Sequence, residues 1–70
     1  MPRSASREYA AALHRIAEAD ARILLQEERV RALRHGGHTT AECERLLDLM
    51  RRSRDLMQRQ ANLIAQNDRT

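Results

Sequence analysis

Apolar residues recur at alternating intervals of four and three along the first half of the chain. The series runs through Ala12, Ile16, Ala19, Ile23, Gln26, Val30 and Leu33. Such intervals place these positions on one face of an α-helix, which completes a turn about every 3.6 residues. The pattern predicts an amphipathic helix over about residues 6–35, with Ser4 or Ser6 as its N-cap. A second apolar row beside this face consists of Leu13, Ala17 and Leu24.

A second periodic segment covers about residues 40–65. Its main row consists of Cys43, Leu46, Met50, Ser53, Met57, Gln60 and Ile64. Leu49, Leu56 and Leu63 form another row at intervals of seven, and Leu47 and Ala61 flank the main row on its other side. The segment predicts a second amphipathic helix whose apolar face is wider than one stripe. The polar members of the two main rows, which we expect to set the register through buried hydrogen bonds, are Gln26, Ser53 and Gln60.

The only two glycines of the chain, Gly36 and Gly37, separate these segments. Glycine readily adopts the left-handed conformation that ends many helices, so the pair predicts the end of the first helix. Thr39 as N-cap and Glu42 three residues later form a capping box, which predicts the start of the second helix. A connection this short makes consecutive helices antiparallel neighbours. The sequence thus predicts an all-α fold: one antiparallel two-helix hairpin domain over residues 1–70, with residues 1–5 and 66–70 frayed.

A two-helix hairpin can bury only one apolar stripe of each helix, whereas each of these helices carries two. Full burial of an aliphatic side chain is worth ~1.5–3 kcal/mol, so an uncovered row represents a large loss of stability. We therefore expect homo-oligomerisation into a four-helix bundle, as a dimer or a tetramer; the alternative is a monomeric hairpin with an exposed apolar patch. The expected interface residues are Leu13, Ile16, Ile23, Leu24, Val30, Leu46, Leu49, Met50, Leu56, Met57, Leu63 and Ile64.

Composition and charge narrow the class of protein. All 13 basic residues are arginine, and with 10 acidic residues they give a formal net charge of +3. The absence of lysine excludes Schiff-base chemistry and a P-loop. The single cysteine, Cys43, cannot form an internal disulfide, which favours a reducing compartment. The apolar runs are too short for a signal peptide or a membrane span, so we expect a cytoplasmic protein without a membrane partner.

Three side chains near the turn, His35, His38 and Cys43, form the only candidate metal site. A structural zinc site needs four ligands, and the chain has no CxxC or HxxxH pattern, so we interpret the histidines as turn residues and Cys43 as a small apolar residue. Asp20 and Glu27 could act as paired carboxylates, but the helices lack the Glu-x-x-His pattern of di-iron bundles, and edge ion pairs are expected instead. The sequence predicts no catalytic residue, metal or cofactor, and hence no enzyme.

The arginines suggest an alternative function. Pairs at i,i+4 spacing, which we expect to form ion pairs on solvated faces, are Glu18–Arg22, Glu27–Arg31, Asp48–Arg52 and Asp55–Arg59. The candidate contacts to a nucleic acid are Arg31, Arg34, Arg51 and Arg54. Tyr9 is the only aromatic residue, so the chain has almost no platform for stacking bases.

Two segments carry a family resemblance: RIAEADARI at residues 15–23 and GHTTAECERLLDLM at residues 37–50. Over about residues 13–64 the chain resembles small alpha-proteobacterial helical-hairpin proteins, in which a Gly-His-x-Thr-Ala-Glu turn joins two helices rich in Ala, Leu and Arg. Thr39 stands where that pattern commonly has Asp, and Cys43 replaces a usual Ala. The resemblance implies a helical hairpin in a bacterial cytoplasm and implies no activity.

From these observations we expect a non-enzymatic helical interaction or scaffold module that associates with itself through its apolar helix faces. A further protein partner is compatible with this interpretation. The alternative is a small arginine-rich nucleic-acid-binding bundle protein. The two hypotheses differ in salt dependence, because binding to phosphates weakens steeply as salt rises.

Overall fold

The computed structural model describes residues 3–69 as two α-helices, α1 Arg3–His35 and α2 Ala41–Arg69. The helices contact each other along their length, and contacts such as Asp20–Arg54 and Arg34–Glu44 show that they run antiparallel. Met1, Pro2 and Thr70 lie outside the described residues. The predicted antiparallel two-helix hairpin is confirmed.

Both helices are longer than predicted. Because α1 begins at Arg3, Ser4 and Ser6 lie within the helix, and the prediction that one of them is the N-cap is wrong. Helix α2 continues to Arg69, four residues beyond its predicted end at 65, since no Gly or Pro interrupts the polar C-terminal segment. The predicted fraying of residues 1–5 and 66–70 falls partly on residues outside the described range and stays a prediction.

A Schellman motif ends α1 as the two glycines predict. Gly37 has φ of 76°, and its N–H donates to the carbonyl of Arg34 at 3.0 Å. The N–H of His38 donates to the carbonyl of Leu33, also at 3.0 Å. This pair of bonds satisfies carbonyls that the helix end would otherwise leave without a partner.

The start of α2 differs from the prediction by one residue. The helix begins at Ala41, so the N-cap position belongs to Thr40 rather than Thr39. The Thr40 carbonyl accepts from the N–H of Glu44 at 2.8 Å, and its hydroxyl donates to the Glu44 carboxylate at 3.0 Å. Glu42 lies in the first turn of α2, where its negative charge is favourable next to the positive end of the helix dipole.

The hydrophobic core is a single narrow seam between the helices. From α1, the buried residues are Ala12, Ile16, Gln26 and Val30, which confirms the predicted main row of that helix. From α2, the buried residues are Leu47 and Ala61, whereas Leu46, Ser53 and Gln60 are exposed. The predicted main row of α2 is therefore wrong in part, because the helix is rotated so that its Leu47 side faces α1.

The hairpin is long and thin. Its Cα atoms extend over 56 × 14 × 11 Å, and the Cα radius of gyration is 16.2 Å. A compact chain of this length would have a radius of gyration of about 11 Å. Every side chain therefore lies close to solvent on at least one side, and no large side chain within the described residues is fully buried.

Candidate interaction surface

Four leucines of α2 project from one side of the hairpin. Leu46, Leu49, Leu56 and Leu63 are 47%, 61%, 63% and 59% exposed, and we call them the leucine surface. Leu49, Leu56 and Leu63 repeat every seven residues, which keeps them in line along the helix. An aligned set of half-exposed large apolar residues is typical of an interaction surface, whereas single exposed leucines are ordinary.

A groove between the helices borders the leucine surface. It is lined by Ala19, Arg22, Leu49, Met50, Ser53 and Met57 and has a volume of about 230 Å³. Small side chains at positions 19 and 53 leave the space, and two methionines form flexible apolar walls. A second groove runs beside Leu56 and is lined by Arg52, Asp55 and Arg59 as well as that leucine.

The opposite side of the hairpin carries ion pairs between the helices. Arg54 donates to Asp20 through Nε at 2.8 Å, and Arg51 donates to Glu27 at 2.7 Å. Arg34 pairs with Glu44 closer to the turn. The hydrogen bonds from Arg54 hold the pKa of Asp20 below its usual value, and the hydrogen bond to Asp20 raises the pKa of Arg54. The expectation that Asp20 and Glu27 form edge ion pairs is confirmed.

The exposed leucines of α1 do not share a side with the leucine surface. Leu13 lies seven residues before Asp20, and Leu24 lies four residues after it, so both are on the side that carries the ion pairs. Their exposed fractions are 42% and 56%. One face-to-face contact between hairpins therefore cannot cover all the second-row leucines, which corrects the arrangement expected from the sequence.

The twelve residues expected at an oligomer interface divide into two groups. Those already packed inside the hairpin, buried or half-buried, are Ile16, Ile23, Val30, Met50, Met57 and Ile64. Those left exposed are Leu13, Leu24, Leu46, Leu49, Leu56 and Leu63. The sequence interpretation missed Leu25, which is 66% exposed and lies outside both apolar rows of α1. It assigned Arg22 only to an ion pair with Glu18, although the seven-residue spacing of Arg22 from Arg15 and Arg29 was a signal that could have drawn attention to the groove.

Three of the four candidate nucleic-acid contacts already have carboxylate partners. Arg34, Arg51 and Arg54 form the ion pairs between the helices, and Arg31 is exposed and has no ion pair with any residue that the structure describes. Glu27 pairs with Arg51 across the hairpin rather than with Arg31, so that predicted i,i+4 pair is wrong. The other three predicted i,i+4 pairs are also absent among the described residues; Glu18 contacts His14 instead, at 3.6 Å.

The candidate metal ligands near the turn remain apart from any larger cluster. His35 and His38 are exposed, and Cys43 is half-buried. Over the part of the chain that the structure describes, no group of three His, Cys, Asp or Glu residues could hold a metal ion. Within the same residues, neither helix has an apolar stretch long enough to cross a bilayer.

Comparison with known proteins adds no relative. No family model, curated protein or solved structure matches this chain. The resemblance to alpha-proteobacterial helical-hairpin proteins therefore stays a prediction from the sequence, and the functional argument depends on the surface itself.

Proposed function

We propose that this chain is a non-enzymatic helical interaction module that binds a further helix on its leucine surface. The observation that carries the proposal is the alignment of four leucines, each 47–63% exposed, on one side of α2. Helices pack by inserting such side chains between those of a neighbour, and the adjoining groove offers space for them.

The energetic argument is the cost of leaving these leucines in water. Burial of about half of each side chain is worth roughly 1 kcal/mol per leucine, so four leucines supply several kcal/mol toward binding. Leu49, Leu56 and Leu63 lie along about four turns of a regular helix, which supports a helical partner rather than a small ligand.

A second copy of the chain is the partner expected from the sequence. Two hairpins in contact through their leucine surfaces would form a four-helix bundle. Such a dimer would still leave Leu13 and Leu24 exposed, because these leucines lie beside the ion pairs. Self-association is therefore one form of the proposed function, and its test is the molar mass of the purified protein.

The substitution Leu56→Arg tests the proposal, with Leu25→Arg as the matched control. Both leucines are exposed to a similar extent, but only Leu56 belongs to the leucine surface. Arginine is a good helix former, so both variants should keep the hairpin, which circular dichroism can verify. The measurements are molar mass by light scattering and binding of a synthetic amphipathic helical peptide that has a leucine stripe and glutamine on both flanks.

We expect the parent protein either to self-associate or to bind this peptide, and Leu56→Arg to abolish that association. Leu25→Arg should behave as the parent does. If the parent shows neither form of association, or if the two variants cannot be distinguished, the leucine surface is not an interaction site and the proposed function is wrong.

A further inference from the structure

Two rows of arginines flank the leucine surface. On α1 the row is Arg15, Arg22 and Arg29; on α2 it is Arg45, Arg52 and Arg59. Members of each row are seven residues apart, so each row stays in line along its helix. Arg52 lies three residues after Leu49 and four before Leu56, which places the second row directly beside the leucines.

The two grooves confirm that the rows border the leucine surface. Arg22 lines the same groove as Leu49, so the α1 row faces the leucines across the space between the helices. Arg52 and Arg59 line the groove that contains Leu56. A helix that covered the leucines would therefore have one arginine row on each of its sides.

These six arginines are exposed and have no ion pair within 4.0 Å among the described residues. The contrast with the opposite side is sharp, because Arg34, Arg51 and Arg54 there each contact a carboxylate. Carboxylates also lie near the rows: Glu18 follows Arg15 by three residues, Asp48 and Asp55 follow Arg45 and Arg52 by three, Glu8 lies seven before Arg15, and Glu42 lies seven before Leu49. None of them forms an ion pair with a row arginine among the described residues, so the guanidinium groups beside the leucine surface are available to carboxylates of a partner.

A second copy of the chain fits this border poorly. If the two-fold axis ran parallel to the helices, the α1 row of one copy would meet the α2 row of the other. If the axis were perpendicular to the helices within the interface, each row would meet its own counterpart. Both arrangements bring arginines against arginines, and like charges across an interface act against association.

We infer that the leucine surface binds an acidic amphipathic helix of another protein; this inference rests on the proposed function. The apolar residues of that helix recur at i, i+3 or i+4, and i+7, and they pack on the leucines and the groove. Glu or Asp residues on both flanks of its stripe reach the two arginine rows. The guanidinium group suits this role because it can bind a carboxylate through two parallel hydrogen bonds.

Three synthetic peptides of about three heptads test the inference on the full chain. They share one leucine stripe and differ only in the flanking residues, which are Glu, Gln or Lys. Calorimetry at low salt should show that the Glu peptide binds about tenfold or more tighter than the Lys peptide, with the Gln peptide between them. In ~0.5 M salt the difference should largely disappear, because the border arginines are exposed and screened.

Paired substitutions locate the effect. Arg52→Gln with Arg59→Gln should weaken binding of the Glu peptide by about threefold to tenfold and leave the Gln peptide unchanged. The matched control, Arg7→Gln with Arg31→Gln, removes the same charge from exposed arginines outside both rows. It should change neither affinity appreciably.

The possible failures separate the inference from the proposed function. Equal binding of all three peptides overturns the acidic partner and leaves the helix-binding module intact. The inference of an acidic partner is also wrong if the chain forms a dimer that Leu56→Arg dissociates but the Glu peptide does not disrupt. In that case the second copy occupies the leucine surface. Binding to anionic lipid vesicles or to RNA that depends on Arg52 and Arg59, without binding of the Glu peptide, overturns it as well. If no peptide binds and the chain stays single, the proposed function fails too.

Discussion

The Nε2 of Gln26 donates a hydrogen bond to the backbone carbonyl of Cys43 at 3.1 Å, and this bond joins the middle of α1 to the first turn of α2. Gln26 is only 7% exposed and is the one buried polar side chain among the described residues. Because its partner is backbone, the bond fixes how far α2 is displaced along α1, whatever side chain stands at position 43. The sequence interpretation of Gln26 as a residue that sets the register is consistent with this contact.

The substitutions Gln26→Ala and Gln26→Leu should differ in their effects on stability. Alanine removes the hydrogen bond and leaves a cavity, so we expect the free energy of unfolding to fall by about 1–2 kcal/mol. Leucine fills the space, and the Cys43 carbonyl keeps its bond within α2, so the change should stay within about 0.5 kcal/mol. Urea unfolding of the parent protein and the two variants, all at the same protein concentration, measures both changes in the free energy of unfolding. A larger loss with leucine than with alanine would contradict this account.

The ion pair between Asp20 and Arg54 should make stability depend on pH in the acidic range. The hydrogen bonds from Arg54 hold the folded pKa of Asp20 below 3.8, its ordinary value, so the unfolded chain binds a proton at a higher pH than the folded chain does. Stability from the pair is therefore fully present above that value and is lost as the pH falls through the lower, folded pKa. We expect Asp20→Asn to lose this part of the acid sensitivity.

The measurement is the free energy of unfolding between pH 7 and pH 2, with Asp48→Asn as the control. Asp48 is an exposed acid on α2 that has no ion pair within 4.0 Å over the described part of the chain, so its removal should leave the acid sensitivity close to that of the parent. Both substitutions remove one negative charge, which makes the comparison specific to the contact with Arg54. Identical pH profiles for the two variants would rule out a role for the Asp20–Arg54 pair.

The sequence predicts the packed face of α1 better than that of α2, and the reason is visible in the residues. In α1 only one row continues along the helix as far as Leu33, with Gln26 as its single polar member, so the sequence offers no competing row of the same length. In α2 the rows that contain Leu46 and Leu47 share four residues, and each has polar members at other positions. Arg54, seven residues after Leu47, belongs to the row that contains Leu47. From the sequence alone, a charged residue in a row predicts that the row is exposed. Arg54 is nonetheless tolerated at the seam because Asp20 of the other helix accepts its hydrogen bonds.

Alanine substitutions at Leu46 and Leu47 test which of the two neighbouring leucines belongs to the core. Leu47 is 6% exposed, so Leu47→Ala should lower the free energy of unfolding by about 2–3 kcal/mol. Leu46 is 47% exposed, and Leu46→Ala should cost less than about 1 kcal/mol. Urea unfolding at low protein concentration gives both values with little contribution from any partner. The reverse order would mean that α2 packs in the rotation expected from the sequence.

Five of the exposed leucines could be recognised from the sequence as second-row residues, but the side on which each lies could not; the five are Leu13, Leu24, Leu49, Leu56 and Leu63. Whether Leu24 and Leu56 lie on the same side of the hairpin depends on how far each helix is rotated about its own axis. If the packed row of α2 shifts by one residue, the outer face of that helix turns by about 100°. The rotation of the two helices is visible in the structure from the ion pairs on one side and the groove on the other. For the same reason, the arginine rows of the two helices can be recognised as borders of one surface only after the rotation is known.

The turn offers a last test, in which two adjacent glycines should respond differently to alanine. Gly37 has φ of 76°, a conformation that costs a residue with a Cβ roughly 1–2 kcal/mol, so Gly37→Ala should destabilise the hairpin by about that amount. Gly37→Asn should lose less, because asparagine tolerates this conformation at helix ends. At Gly36 the one tight neighbour of a Cβ would be the exposed ring of His38, at 3.0 Å, and that ring can rotate away; the Leu33 carbonyl oxygen, at 3.6 Å, is at an ordinary contact distance. Thermal unfolding should therefore rank Gly36→Ala as the milder change, and equal losses at both positions would show that the left-handed residue does not determine the stability of the turn.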